Sequence, residues 1–137
     1  PQSDLVKSLY IAASGMRAQS DRLRIVSQNI ANAESVGTHP GEDPYRRKML
    51  TFKNVMNREM ETELVKTGKY GYDKSPFLKK YDPSHPAADK DGYVSYPNVN
   101  PLVEMMDMRE ARRGYEANLN VIEASKSMIS QTLNMLR

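Results

Sequence analysis

Residues 100–137 read NPLVEMMDMREARRGYEANLNVIEASKSMISQTLNMLR, and their spacing decides the fold. Asn100 offers a side-chain acceptor where a helix begins. Pro101 follows at the first helical position, where the missing N–H has no partner to lose. No further proline interrupts the run. Counting by alternating threes and fours selects Met105, Met108, Arg112, Tyr115, Leu119, Ile122, Lys126, Ile129, Leu133 and Leu136, and eight of these ten are apolar or aromatic. A 3.5-residue repeat of this kind is the seam of a coiled coil. A second row, Ala117, Val121, Ala124, Met128 and Met135, widens the stripe. The stretch predicts one long amphipathic helix over 101–137 that requires a partner.

The other end of the chain supplies one. Leu5, Leu9, Ala12, Met16, Gln19, Leu23, Val26, Ile30 and Ala33 keep the same four-three spacing, with Gln19 the one polar member. Ser3 or Asp4 is positioned to cap this helix. Gly15 falls beside Ala12, Ala13 and Ala18, where a small residue permits close approach of a second helix. The pattern fades at Asn32–Ser35, and Gly37 is the expected stop. A helix of about 30 residues rises roughly 45 Å and the C-terminal one roughly 55 Å. These lengths exceed what a compact globule of this size would hold, which points to an elongated molecule or one inserted into an assembly.

Residues 37–100 have a different composition. They hold five of the seven glycines, six of the eight prolines and six of the eight tyrosines. The long helices cannot continue there. Strand patterns occur at Lys48–Val55, Glu63–Tyr70, Phe77–Tyr81 and Gly92–Tyr96, bounded by turn residues; Asn54–Glu63 is open. The expected class is mainly α: paired terminal helices (1–36 and 101–137) forming an antiparallel coiled-coil-like hairpin. Between them lies a small antiparallel β-rich insert (37–100).

Charge and composition exclude several functions. Lys plus Arg number 20 against 17 acidic residues, and the excess is spread along the chain rather than concentrated. That distribution argues against a nucleic-acid surface. No apolar run is long enough to span a bilayer, and the first residues lack the pattern of a cleavable secretory signal. With 39% hydrophobic residues and no tryptophan, the chain has a thin core, as expected of a subunit that completes its core from neighbours.

Catalytic patterns are missing too. His85, near Asp82, Asp89 and Asp91, lacks the ligand spacing of a zinc or calcium site and reads as a solvated turn. No nucleophile elbow, phosphate loop or dinucleotide fingerprint occurs. The expectation is no enzyme, no cofactor and no metal. Arg109, Arg112 and Arg113 are interleaved with Glu104, Asp107, Glu110 and Glu116, which neutralise much of that cluster. Arg46-Arg47-Lys48 leaves one competing reading, a soluble coiled-coil adaptor or a nucleic-acid-binding regulator.

Four stretches carry a resemblance. They are Ser27-Gln28-Asn29-Ile30-Ala31-Asn32-Ala33; Pro44-Tyr45-Arg46-Arg47-Lys48; Tyr81–Val94 running into Pro97-Asn98-Val99-Asn100; and Glu104–Met108 with Arg113-Gly114-Tyr115-Glu116-Ala117-Asn118 and Lys126-Ser127-Met128. In this order the chain resembles the rod proteins of the bacterial flagellar basal body, its proximal-rod members most of all. The resemblance implies a structural subunit that stacks its terminal helices into the drive shaft, transmitting torque from the motor ring to the distal rod and hook. It implies export by the flagellar type III apparatus without a cleavable signal, and residence in the periplasmic rod. The partners implied are other rod proteins, further copies of the chain, and motor-ring and export-gate components. Nucleic acid, small-molecule substrates and membrane spans are not expected.

Helix packing and assembly are assigned to Leu9, Met16, Leu23, Val26, Ile30, Tyr115, Leu119, Ile122, Ile129, Leu133 and Leu136. Within one subunit, Leu9, Met16, Leu23 and Ile30 are expected to meet Tyr115, Leu119, Ile122, Ile129 and Leu133, leaving Ala124 and Met128 for neighbours. Candidate inter-subunit contacts are Asn29, Asn32, Tyr45, Arg46, Arg113 and Asn118, although by their chemistry alone the amides Gln28, Asn29 and Asn32 read as solvated polar faces, with Asn32 near a C-cap.

Overall fold

A computed structural model describes residues 2–58 and 61–137. Residue 1 of the expected N-terminal segment and residues 59–60 of the open 54–63 stretch lie outside the described residues. The elements are α1 (Gln2–Ala31), β1 (Lys48–Met49), β2 (Phe52–Asn57), β3 (Thr62–Thr67), β4 (Gly71–Tyr72), β5 (Leu78–Tyr81), β6 (Tyr93–Tyr96) and α2 (Pro101–Met135).

The start of α2 follows its cap. The Asn100 side-chain oxygen accepts the Leu102 N–H at 3.1 Å, and the Asn100 carbonyl accepts the Glu104 N–H at 3.1 Å. These two bonds satisfy donors that have no partner inside the helix. The other helix begins at Gln2, so Ser3 and Asp4 lie in its first turn instead of capping it, and Asp4 sits there as an acidic group at the positive end of the dipole. It stops at Ala31, with a turn closed by Ala33 N–H to the Ile30 carbonyl. Gly37 comes too late to be the stop. A Cβ there would stand 2.7 Å from the Glu42 carbonyl oxygen, so close packing of the following loop is what requires a glycine.

Among the described residues the strands form three separate two-stranded antiparallel ladders, β1 with β4, β2 with β3, and β5 with β6. In β2–β3 the register runs from Phe52 opposite Thr67 to Asn57 opposite Thr62, which places residues 54–57 and 62–63 of the open stretch in paired strands. Gly92, just before β6, has φ +88°, and a Cβ there would reach 2.8 Å from the Tyr81 ring. Both conditions favour glycine.

The fold divides into two compact units. The first comprises Pro1–Leu23, Thr51–Lys69 and Arg109–Arg137. Here α1 buries Ala12, Ser14, Gly15 and Ala18. The Ser14 hydroxyl accepts the Val65 N–H of β3 at 3.0 Å, and Asp21 accepts the Thr67 hydroxyl at 2.8 Å, which seats the β2–β3 hairpin on α1. Against α2 the contacts are small-on-large. A Cβ on Gly15 would lie 2.7 Å from the Asn118 side-chain nitrogen, and one on Gly114 would lie 2.8 Å from that of Gln19. The glycine thus serves the close helix approach its neighbours suggested, and Gln19 lies over the glycine of the facing helix. Arg22 and Glu110 pair at 3.4 Å.

The second unit comprises Arg24–Leu50 and Tyr70–Met108. Ile25, Val26, Val94 and Val99 form its apolar interior, together with buried Asn29 and Glu104. The β5–β6 ribbon turns Val94 inward, while every residue of β5 is exposed.

Candidate functional site

Two features stand apart from ordinary packing: a buried polar node in the second unit, and apolar rows on α2 that the chain leaves uncovered.

The node is built from three stretches. Glu104, 0% exposed on the first turn of α2, accepts from Arg47 Nε through one oxygen and from the Asn29 side-chain amide, at 3.3 Å, through the other. The Arg47 guanidinium also faces Asp73 at 3.4 Å and Asp107 at 3.7 Å. A buried carboxylate is tolerated when it is paired and hydrogen-bonded in this way. Burial works against the charge of Arg47, but the hydrogen bond and charge of Glu104, with Asp73, outweigh it and hold its pKa above the ordinary value. Burial raises the Tyr45 hydroxyl above its ordinary value, reinforced by the charge of Glu104. Asp73 is held below its ordinary value, first by the Ser75 backbone N–H and then by Arg47.

Several residues assigned to neighbours are engaged inside the chain instead. Asn29 is 1% exposed, and its amide bonds Tyr45, Lys48 and Glu104, so it is no inter-subunit contact. Asn32 donates to the Gln28 carbonyl one turn back. Tyr45 donates to Asn29 at 2.7 Å. Arg46 donates to the Asp73 and Ser75 carbonyls and lies 4.1 Å over the Phe77 ring. Asn118 donates to the Gly114 carbonyl at 2.9 Å. Arg113 is exposed. The Arg46-Arg47-Lys48 cluster is therefore built into the second unit, with Lys48 donating to Gln28 and lying 4.8 Å from the Tyr70 ring. His85 is half-buried in its turn and accepts the Ala87 N–H at 3.0 Å.

The helix seam on α2 is rotated by one residue from the expected one. From Glu104 to Thr132 the covered positions are Glu104, Asp107, Met108, Ala111, Gly114, Tyr115, Asn118, Ile122, Ser125, Ile129 and Thr132. Tyr115, Ile122 and Ile129 fall on this face. Leu119, Leu133 and Leu136 do not: they are 37%, 54% and 74% exposed, so the expected packing of Leu119 and Leu133 within the chain fails. On α1, Leu9, Met16, Leu23 and Ile30 are half-buried and Val26 is buried. The reason is physical. Gly114 and Asn118 let the helices approach closely, and that contact selects a face of small and polar residues over the row of leucines.

What remains uncovered is large. Leu102, Val103, Met105 and Met106 line the start of α2; Val121, Met128, Leu133 and Met135 lie in its second half, with Leu136 just past its end; all are exposed. Isolated exposed apolar residues are ordinary, whereas contiguous rows mark interaction surfaces.

Comparison with known proteins shows the family. The chain is 52% identical to the flagellar basal-body rod protein FlgC of Agrobacterium fabrum over 93% of its own length and 91% of that protein's. The chain belongs to the FlgC family of flagellar basal-body rod proteins. It is 39% identical to the FlgC proteins of Borreliella burgdorferi and Salmonella typhimurium, covering 97% and 96% of this chain and 98% and 97% of theirs. Residues 9–37 match the family model described as flagella basal body rod protein. Residues 90–135 match the flagellar basal body rod FlgEFG protein C-terminal model. The two matches cover most of α1 and all of α2. As a family member it is a structural subunit of the basal-body rod, and the adaptor or nucleic-acid reading has no support. No helix among the described residues is long and apolar enough to cross a membrane.

Proposed function

We propose that this subunit polymerises into the proximal rod by burying the exposed apolar rows of α2 against neighbouring rod subunits and further copies of itself. The observation that carries the reading is the exposure of Val121, Met128 and Met135, spaced by sevens along one flank of the covered face of α2, with Leu133 exposed on the other flank. Leu119 and Leu136 join this outward surface, as does Arg113. In the polymer, residues 1–36 and 101–137 act as the axial core, an antiparallel coiled-coil-like pair, and residues 37–100 as an outward insert. The order of the contacts supports that pairing: Gly15 meets Asn118, Gln19 meets Gly114, and Arg22 meets Glu110. Torque then passes from the motor ring to the distal rod and hook through packed helices, and stiffness is the function. The flagellar type III apparatus delivers the chain through the export gate to the periplasmic rod.

The test is Val121→Asp combined with Met128→Asp in cells lacking the endogenous subunit. The expected result is a chain that folds as the wild type does when isolated, is absent from purified basal bodies, and gives non-motile cells. Normal motility would refute the assignment of this surface.

A further inference from the structure

The β1–β4 ladder has an open edge, and a side chain closes it. Asp73 donates its N–H to the Arg47 carbonyl at 2.9 Å, which sets Arg47 and Asp73 at a hydrogen-bonded position of the antiparallel ladder, while the Arg47 N–H goes to the Asn98 side chain at 2.8 Å. Such positions alternate, so Lys48 opposite Tyr72 is a non-hydrogen-bonded pair, and both main-chain groups of Lys48 point away from β4. Asn29 meets both. Its side-chain oxygen accepts the Lys48 N–H at 2.9 Å, and its side-chain nitrogen donates to the Lys48 carbonyl at 2.9 Å. This two-point pairing is the one a residue of a third strand would make. The remaining capacity of the amide is also used, the oxygen accepting the Tyr45 hydroxyl at 2.7 Å and the nitrogen donating to Glu104 at 3.3 Å. Two donors and two acceptors are all that an asparagine has.

We propose that Asn29 is an edge guard, a side chain standing in for a third strand, which closes β1 against strand pairing with other chains and fixes the end of α1 upon it. Unpaired strand edges recruit further strands. Other residues cannot reproduce the arrangement. Aspartate has no donor and would set a second oxygen against the Lys48 carbonyl; glutamine is one methylene longer; alanine leaves the edge open. The inference is independent of the polymerisation surface on α2.

The test is amide hydrogen exchange on the full chain, with the amides of β6 as internal reference. In the wild type the Lys48 amide is expected to exchange at least about 100-fold more slowly than an unstructured amide, although it faces away from β4. Asn29→Ala and Asn29→Asp should each cut that protection about tenfold or more and leave β6 unchanged. In a chain whose α2 surface is silenced by Val121→Asp and Met128→Asp, adding Asn29→Ala should give dimers and larger species at rising concentration where Asn29 does not, and equal elution of the two would count against the edge-guard role. Tyr45→Phe, which keeps the pairing to Lys48, should retain the protection. Three results would overturn the proposal: a Lys48 amide unprotected in the wild type, one equally protected in Asn29→Ala, or one lost as fully in Tyr45→Phe. The first and third decide the matter even where the Asn29 variants do not fold.

Discussion

Replacing Arg47 by methionine would strand Glu104. The carboxylate is 0% exposed, and without the guanidinium the side chain that still bonds it is Asn29 at 3.3 Å, with Asp73 and Asp107 no longer neutralised by the cation between them. Removing one partner of a buried ion pair costs about 3–5 kcal/mol. The Arg47 side chain is 21% exposed, so water reaches one side of the site and the lower end, about 3 kcal/mol, applies. With a urea dependence of about 2 kcal/mol/M, the unfolding midpoint falls by about 1.5 M at neutral pH. Circular dichroism of wild type, Arg47→Met and the double variant Arg47→Met with Glu104→Gln measures it. The double variant removes the stranded charge and recovers more than half of the loss. A single variant within about 0.5 kcal/mol of wild type would refute the reasoning, as would a double variant no better than the single.

Three further outcomes are expected. Gly15→Ala gains about 1 kcal/mol of helix propensity but loses about 2 by pressing on Asn118, which its 2.9 Å bond to Gly114 holds in place, for a net loss of about 1 kcal/mol by thermal or urea unfolding. Asp73, Asp89 and Glu42 all have depressed folded-state pKa values, so the stability they contribute is present above the ordinary carboxylate range and lost as pH falls below it. Urea midpoints measured downward from pH 5 should therefore fall below about pH 4, and Asp73→Asn should flatten the slope. Cysteines replacing Gly15 and Asn118 should form an intrachain disulfide on oxidation of purified basal bodies, and failure to do so there would count against the antiparallel pairing.

The parts of the fold that obey local rules were legible in the sequence. Asn100-Pro101 announces a helix start because capping needs only neighbouring residues, and the four-three spacing announces two helices because periodicity is local. The face that α2 buries was not legible. Apolar spacing counts hydrophobicity, and it cannot tell a row covered by the same chain from a row kept for neighbours. Leu119 and Leu133 belong to the strongest apolar pattern yet stand exposed, while Gly114, Asn118 and Ser125 take the covered face. Asn29 was misread for a related reason. Its partners at residues 45, 48 and 104 are distant in sequence, and no spacing rule links an amide on one helix to a strand edge and a carboxylate on another. In the insert the four strand patterns fall on strands, but Lys48–Val55 divides into β1 and β2, β4 lies outside every pattern, and the separation into three ladders depends on pairing that composition does not encode.

The absence of cysteine allows a direct test of the central claim. A single cysteine replacing Met128 can be reacted with a maleimide in the isolated chain and in purified basal bodies. Rapid labelling is expected in the isolated chain, where this position is 52% exposed, and strong protection in the basal body. Equal labelling in both would contradict the burial of α2 by neighbouring subunits.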